Sequence, residues 1–141
     1  MKYGVQSAFQ IPISYYENLE LKDDLKNYIL SKNSKGIESN VTPLIKQNLI
    51  ESKFDFFRDE TPIVRKTAQW ITNMLTDTIN TLQMEEIDYN FVYNESWFHI
   101  TKTNGMHEPH THPNCSWCGV YYLQSGDSDS GHTVFQNPVC P

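Results

Sequence analysis

The spacing of apolar residues divides the chain in the middle. Residues 5–13 form a short apolar opening segment that reads as a strand broken by Pro12. Leu21, Leu25 and Ile29 then recur every four residues, the period of a helix with one buried face, and the Ser34-Lys35-Gly36 loop ends it. After a polar stretch through Asn40, the residues Leu44, Ile45 and Leu49 suggest a second short helical piece. The clearest helix opens at Thr61-Pro62, a capping residue followed by proline at the first helical position. Val64, Ala68, Ile71, Leu75 and Ile79 make its buried stripe. From Tyr89 the period falls to two. Tyr89, Phe91 and Tyr93 alternate, the phase breaks near Asn94, and Trp97 and His99 then face opposite to Phe98 and Ile100. Helices precede strands and no internal repeat is present. The pattern predicts one α+β domain over residues 1–141, helical to about residue 85 and sheet from about residue 86.

Composition narrows the function classes. At 141 residues, with 38% hydrophobic and 13% aromatic content, the chain can build a packed core, so global disorder is not expected. The net charge of −6 disfavours non-specific binding to nucleic acid or anionic membranes. No apolar run is long enough to span a bilayer, and the first residues carry no signal-peptide pattern. Three cysteines, an odd number, argue against a disulfide framework and for a reducing cytoplasm. The Asn-x-Ser/Thr matches at Asn40, Asn94 and Asn114 therefore read as chance. No Gly-x-Ser-x-Gly, phosphate-loop or dinucleotide fingerprint supports a hydrolase, kinase or dehydrogenase.

The chemistry concentrates in residues 110–123, His-Thr-His-Pro-Asn-Cys-Ser-Trp-Cys-Gly-Val-Tyr-Tyr-Leu. On an extended segment, residues two apart point to one side, so His110 and His112 present two imidazoles together. That is half of a metal site. Pro113-Asn114 reads as a turn and Val120-Tyr121-Tyr122 as the next strand. Two isolated histidines would more often be surface residues; the ordered turn, strand and hairpin behind this pair favour a metal site. His107 and His99 gain no such support and read as solvent-facing and hydrogen-bonded, respectively. Trp97 and Trp117 read as core or rim aromatics.

From His110 to Phe135 the chain resembles the iron(II)- and 2-oxoglutarate-dependent dioxygenases, closest to a branch common in phage and marine microbial sequences. In that superfamily a His-x-Asp/Glu pair ends one strand of a double-stranded β-helix, or jelly roll. Tyr-Tyr-Leu closes the following strand and a Gly-rich hairpin feeds the next. Here the hairpin would be Ser125 to Gly131, the next strand Thr133-Val134-Phe135, and Asn137-Pro138 its close. More weakly, the similarity reaches Trp97-Phe98-His99-Ile100 and the helical half. The resemblance implies that the N-terminal helices pack on an incomplete double-stranded β-helix. It further implies iron(II) held by His110 and His112, 2-oxoglutarate as cosubstrate touched by the Tyr122 phenol, and hydroxylation of an unnamed substrate. His112 stands where the family usually has a carboxylate, and Glu108, in register with the pair, is expected to tune the ligands. The family takes a distal His and a 2-oxoglutarate-binding Arg from later strands. The chain is therefore expected to be a fragment, a poor catalyst, and prone to self-association through an exposed sheet edge.

Two other classes stay open on these residues. His110, His112, Cys115 and Cys118 have the atom types of a tetrahedral zinc site, although Cys118 would enter the following strand. Reduced, unliganded thiols are the plainer account of Cys115 and Cys118, and Cys140 near the end adds nothing. A cupin-like barrel is the other class. Against it, Gly105 lies one residue too close to the pair and no glutamate follows His112.

Overall fold

The computed structural model describes residues 11–32, 37–38, 46–83, 89–127 and 130–136. Helix α1, Leu19–Ser31, begins where the Asn18 side chain accepts a hydrogen bond from the Leu21 amide at 3.1 Å. That cap satisfies an amide the helix cannot. Leu25 and Ile29 are buried, as their spacing predicts. The strand expected over residues 5–13 lies largely outside the described residues, and Ile11 and Ile13 are exposed without strand pairing. Ser34-Lys35-Gly36 also lies outside them.

Helix α2, Pro62–Gln83, matches the clearest sequence expectation. The Thr61 carbonyl accepts from the Val64 and Arg65 amides, so Thr61 holds the cap position through its backbone. Its hydroxyl is used elsewhere, donating to Asp59 at 2.6 Å. Asp59 also accepts from the Tyr28 hydroxyl at 2.5 Å, Lys32 Nζ at 2.6 Å and the Thr61 amide at 3.0 Å. This carboxylate ties the end of α1 to the start of α2. Its donors, Lys32 foremost, then Thr61 and Tyr28, hold its carboxyl well below the usual carboxylate range.

The sheet has three antiparallel strands in the order β1 (Ile37–Glu38), β2 (Lys46–Glu51) and β3 (His99–His107). Strand β2 corrects the expectation of a second helical piece near residues 44–49. A short apolar run does not distinguish strand from helix by period alone, and pairing with β3, Ile50 opposite Ile100, decided it. Leu44 and Ile45 lie outside the described residues. A 3₁₀ turn, Phe56–Arg58, follows β2, and the Phe56 amide donates to the Ser96 carbonyl at 2.8 Å. Phe98 and Ile100 pack on the Leu25, Ile29 and Val64 core, joined by Phe56 edge-on to Phe98.

The α+β order therefore holds, with a difference in the second half. Residues 89–95, 120–122 and 133–135, all expected as strands, carry no strand pairing. Tyr93 instead donates its hydroxyl to the Ala68 carbonyl on α2 at 2.6 Å. Tyr121 packs on Trp70 of α2 and donates to the Asn18 carbonyl at 2.5 Å. These aromatics are engaged by the helical layer, and strand propensity is realised only beside a partner strand. Val120, Tyr122, Val134 and Phe135 face solvent. Among the described residues no helix is long and apolar enough to cross a membrane.

Two outcomes are expected. Leu25→Ala should cost about 2–5 kcal/mol in urea unfolding, since it opens a cavity where α1 meets the core. Asp59 is ionised more readily folded than unfolded, so its contribution is complete above about pH 4 and is lost as pH falls towards its depressed value. The melting temperature of Asp59→Asn should be lower than wild type at pH 6, with the gap closing below pH 3.

Candidate metal centre

The ladder between β2 and β3 is interrupted in a way that shapes everything beyond it. Leu49 pairs with Thr101 and Gln47 with Met106, so residues 102–105 lie opposite Asn48 alone. Such a bulge bends the strand that carries the extra residues. Asn48 and Asn104 both take left-handed backbone, with φ of 49° and 59°, a conformation asparagine tolerates better than most residues. The Asn48 amide nitrogen donates to the Thr103 carbonyl at 3.3 Å. At Gly105 a β-carbon would meet the Thr101 methyl and lie 2.7 Å from the Asn48 and Lys102 carbonyl oxygens. Only glycine fits without displacing backbone.

The bend draws together rings that a straight strand would separate. Eight residues of straight strand would place His99 and His107 about 26 Å apart; their ring centroids lie 5.6 Å apart, edge to face. His107 stacks in turn on His110, centroids 3.9 Å apart and planes 21° from parallel. At the other end, the Trp97 indole stacks on His112 at 5.6 Å and 14°. Phe54 packs edge-on against the other side of the cluster, 5.1 Å from Trp97.

His99 joins these groups to the sheet. Its Nε2 lies 2.7 Å from Oε2 of Glu51, its directly paired residue on β2, and 3.0 Å from the Trp97 indole nitrogen. One ring nitrogen offers one lone pair or one proton, so the two contacts alternate in strength. The indole N–H can only donate and a carboxylate can only accept, so Nε2 serves one of them at a time. Glu51 is only 5% exposed, so it is the buried anchor of the group. The reading of His99 as a hydrogen-bonded histidine agrees with this. His107 is half-buried and stacked rather than solvent-facing, because the bulge folds it back.

His110 and His112 converge, although not on a strand. They follow β3, and Asn114, with φ of 60°, makes the expected turn after Pro113. His110 Nε2 and His112 Nε2 are 2.9 Å apart. His110 Nδ1 lies 2.9 Å from the Glu108 carbonyl oxygen, so Nδ1 carries the proton and the Nε2 lone pair is available. Two nitrogens cis on one octahedral ion, each at about 2.1 Å, would be about 3 Å apart. The pair therefore fits two adjacent ligand positions. Glu108 contributes its backbone carbonyl to this arrangement. Among the described residues, no three His, Cys, Asp or Glu side chains are gathered so as to hold a metal ion.

His110, His112, Cys115 and Cys118 are thus not gathered as four zinc ligands in this arrangement. The thiol of Cys115 donates to the His112 carbonyl at 3.3 Å. The Cys118 thiol is pushed up by crowding protein atoms, with Cys115 adding to the effect. Both cysteines are free, and Cys140 lies outside the described residues. The Tyr122 hydroxyl is paired with the Thr133 hydroxyl in an exposed position. Trp117 is exposed. Where the hairpin is expected, the Ser130 amide donates to the Asp127 carbonyl at 3.1 Å and Gly131 has φ of 83°, but the segments on either side are not strand-paired.

A family model described as "Putative 2OG-Fe(II) oxygenase" matches residues 95–140. Over that stretch, about a third of the chain, the sequence is similar to this family. The family segment contains Trp97, His99, His107, both members of the His pair and Tyr122; Glu51 lies outside it. Neither a curated protein nor a solved structure matches the chain.

Gly105→Ala tests the bend in this matched segment. The added methyl should cost roughly 1–3 kcal/mol in urea unfolding by forcing backbone apart. It should also reduce proton nuclear Overhauser effects between the His99 and His107 rings. An unchanged midpoint with intact ring contacts would show that the approach at Gly105 is not tight.

Proposed function

We propose that the protein is an iron(II)- and 2-oxoglutarate-dependent oxygenase in which His110 and His112 are metal ligands and the family segment forms part of a double-stranded β-helix. The observation that carries this reading is the pair itself. Two Nε2 atoms lie 2.9 Å apart, one with its tautomer set by a backbone carbonyl, inside the segment that matches the oxygenase family. When bound, iron(II) supplies dioxygen activation coupled to oxidative decarboxylation of 2-oxoglutarate and hydroxylation of a substrate.

The chain's own contribution is binding and orientation. Both imidazoles donate as neutral ligands, so the pair brings no negative charge to a dication. The negative charge at such a site would then come from the carboxylate beside the keto group of 2-oxoglutarate. The Glu108 carbonyl keeps the His110 proton on Nδ1, so Nε2 need not lose a proton to bind. Tyr122 offers a phenol O–H, oriented by Thr133, to the cosubstrate's far carboxylate. That exchange costs little, because Tyr122 is already solvated.

Anaerobic titration with iron(II) and 2-oxoglutarate should give a visible charge-transfer band that requires both additions. His110→Ala should abolish it, and Tyr122→Phe should raise the 2-oxoglutarate concentration needed roughly tenfold or less, the worth of one hydrogen bond. Failure to bind iron(II), together with stoichiometric zinc lost on Cys115→Ser, would sink the oxygenase reading.

A further inference from the structure

The proposed metal pair is flanked on both sides by flat rings, and neither flanking residue belongs to the pair. His107 lies against His110 and Trp97 against His112, both near-parallel. The two flanking rings are not independent. His99 meets His107 edge to face at 5.6 Å and touches Trp97 through Nε2, and that same nitrogen is seated on buried Glu51. The order across the site is thus His107, His110, His112, Trp97, closed behind by His99 and Glu51.

We propose that Trp97 and His107 are positioning residues that clamp the His112 and His110 rings with their Nε2 atoms cis to one metal position, and that Glu51 anchors the clamp through His99. This rests on the reading of His110 and His112 as metal ligands.

The physical need for such a clamp follows from the local backbone. His110 and His112 sit in a segment without strand pairing, so no ladder of backbone hydrogen bonds fixes the main chain that carries their rings. An unrestrained imidazole would lose rotamer freedom on binding the metal, and each such loss weakens binding. Parallel stacking removes that freedom beforehand. Trp97 and His107 can supply it because they are carried by β3 and its approach, whose register is set against β2. Glu51 is paired with His99 in that register, so the anchor and the ladder coincide. A carboxylate that reached the metal directly would bring charge; this one lies against His99 and acts on geometry alone.

The test uses the whole chain, cobalt(II) as the probe, and the His112 Cε1–H resonance, identified by its loss in His112→Gln. In the metal-free protein an indole stacked on His112 shifts that resonance upfield. Trp97→Leu, which keeps apolar volume without a ring current, should move it downfield, whereas Trp97→Phe should keep most of the shift. Trp97→Leu and His107→Leu should each weaken cobalt(II) binding about 10- to 100-fold, the range for groups that orient ligands. Glu51→Gln should weaken it in the same direction and broaden the His112 resonance. Trp97→Phe should restore near-wild-type affinity, and His132→Ala, outside the cluster, should change nothing.

Wild-type cobalt(II) affinity in Trp97→Leu would overturn the clamp, whether or not the resonance moves. Affinity losses equal in Trp97→Phe and Trp97→Leu would also overturn it, since a flat ring would then not be what matters. A wild-type protein that binds no cobalt(II) but shows the Trp97-dependent His112 shift would instead remove the metal reading and leave the ring stack standing.

Discussion

The mismatch between β2 and β3 at Asn48 governs the geometry of this protein's chemically rich half. One residue of β2 faces four of β3, and β3 bends until its two terminal histidines meet. A regular ladder would have sent His107 and the residues after it away from Trp97 and His99. The bend instead returns the chain over the face that carries Glu51 and His99. Asn48, Asn104 and Gly105 are the local chemistry that permits it, two residues tolerant of left-handed backbone and one with no β-carbon to clash.

Strand β3 and its approach divide labour by alternation. Phe98 and Ile100 point into the core formed with Leu25, Ile29 and Val64, while Trp97 and His99 point to the histidine cluster. The apolar side fixes register, since a slip of one residue would exchange these two faces. Register in turn places Glu51 opposite His99. Packing of the helical layer and orientation of the candidate ligands are therefore two consequences of one alignment.

Much of this was legible in the sequence. A helical period identified both helices, with a capping residue and proline marking the start of the second, and alternation placed Trp97 and His99 on one face. The His-Thr-His-Pro-Asn stretch marks the candidate site and lies inside the segment that the family model matches. Three features were not legible for physical reasons. Strand β2 depends on a partner about 50 residues away, and a short apolar run gives no period to read. Glu51 lies in a stretch with no chemical motif, and its burial arises only through non-local pairing. The strand expected at residues 133–135 rests on the family resemblance, and that at 120–122 on β-branched and aromatic content, which expresses a preference for a packed surface of any kind. For Tyr121 that surface is helical. The stacking role of Trp97 had a trace in the sequence, its shared face with His99, but a shared face does not say what a ring will cover.

The hydrogen bond from Tyr121 to the Asn18 carbonyl joins residues 103 positions apart. Its acceptor is the residue that caps α1, so the contact has no fixed target until that helix has formed. Closing so long a segment costs more chain entropy than any neighbouring turn, and such contacts are made after local ones in time. The helices and their shared Asp59 network are built from short-range pairings by comparison. During synthesis the ribosome releases α1 and α2 well before residue 121. The helical layer thus offers a docking surface to the last third of the chain, and the histidine-rich segment is held between β3 and the Tyr121 contact at its two ends.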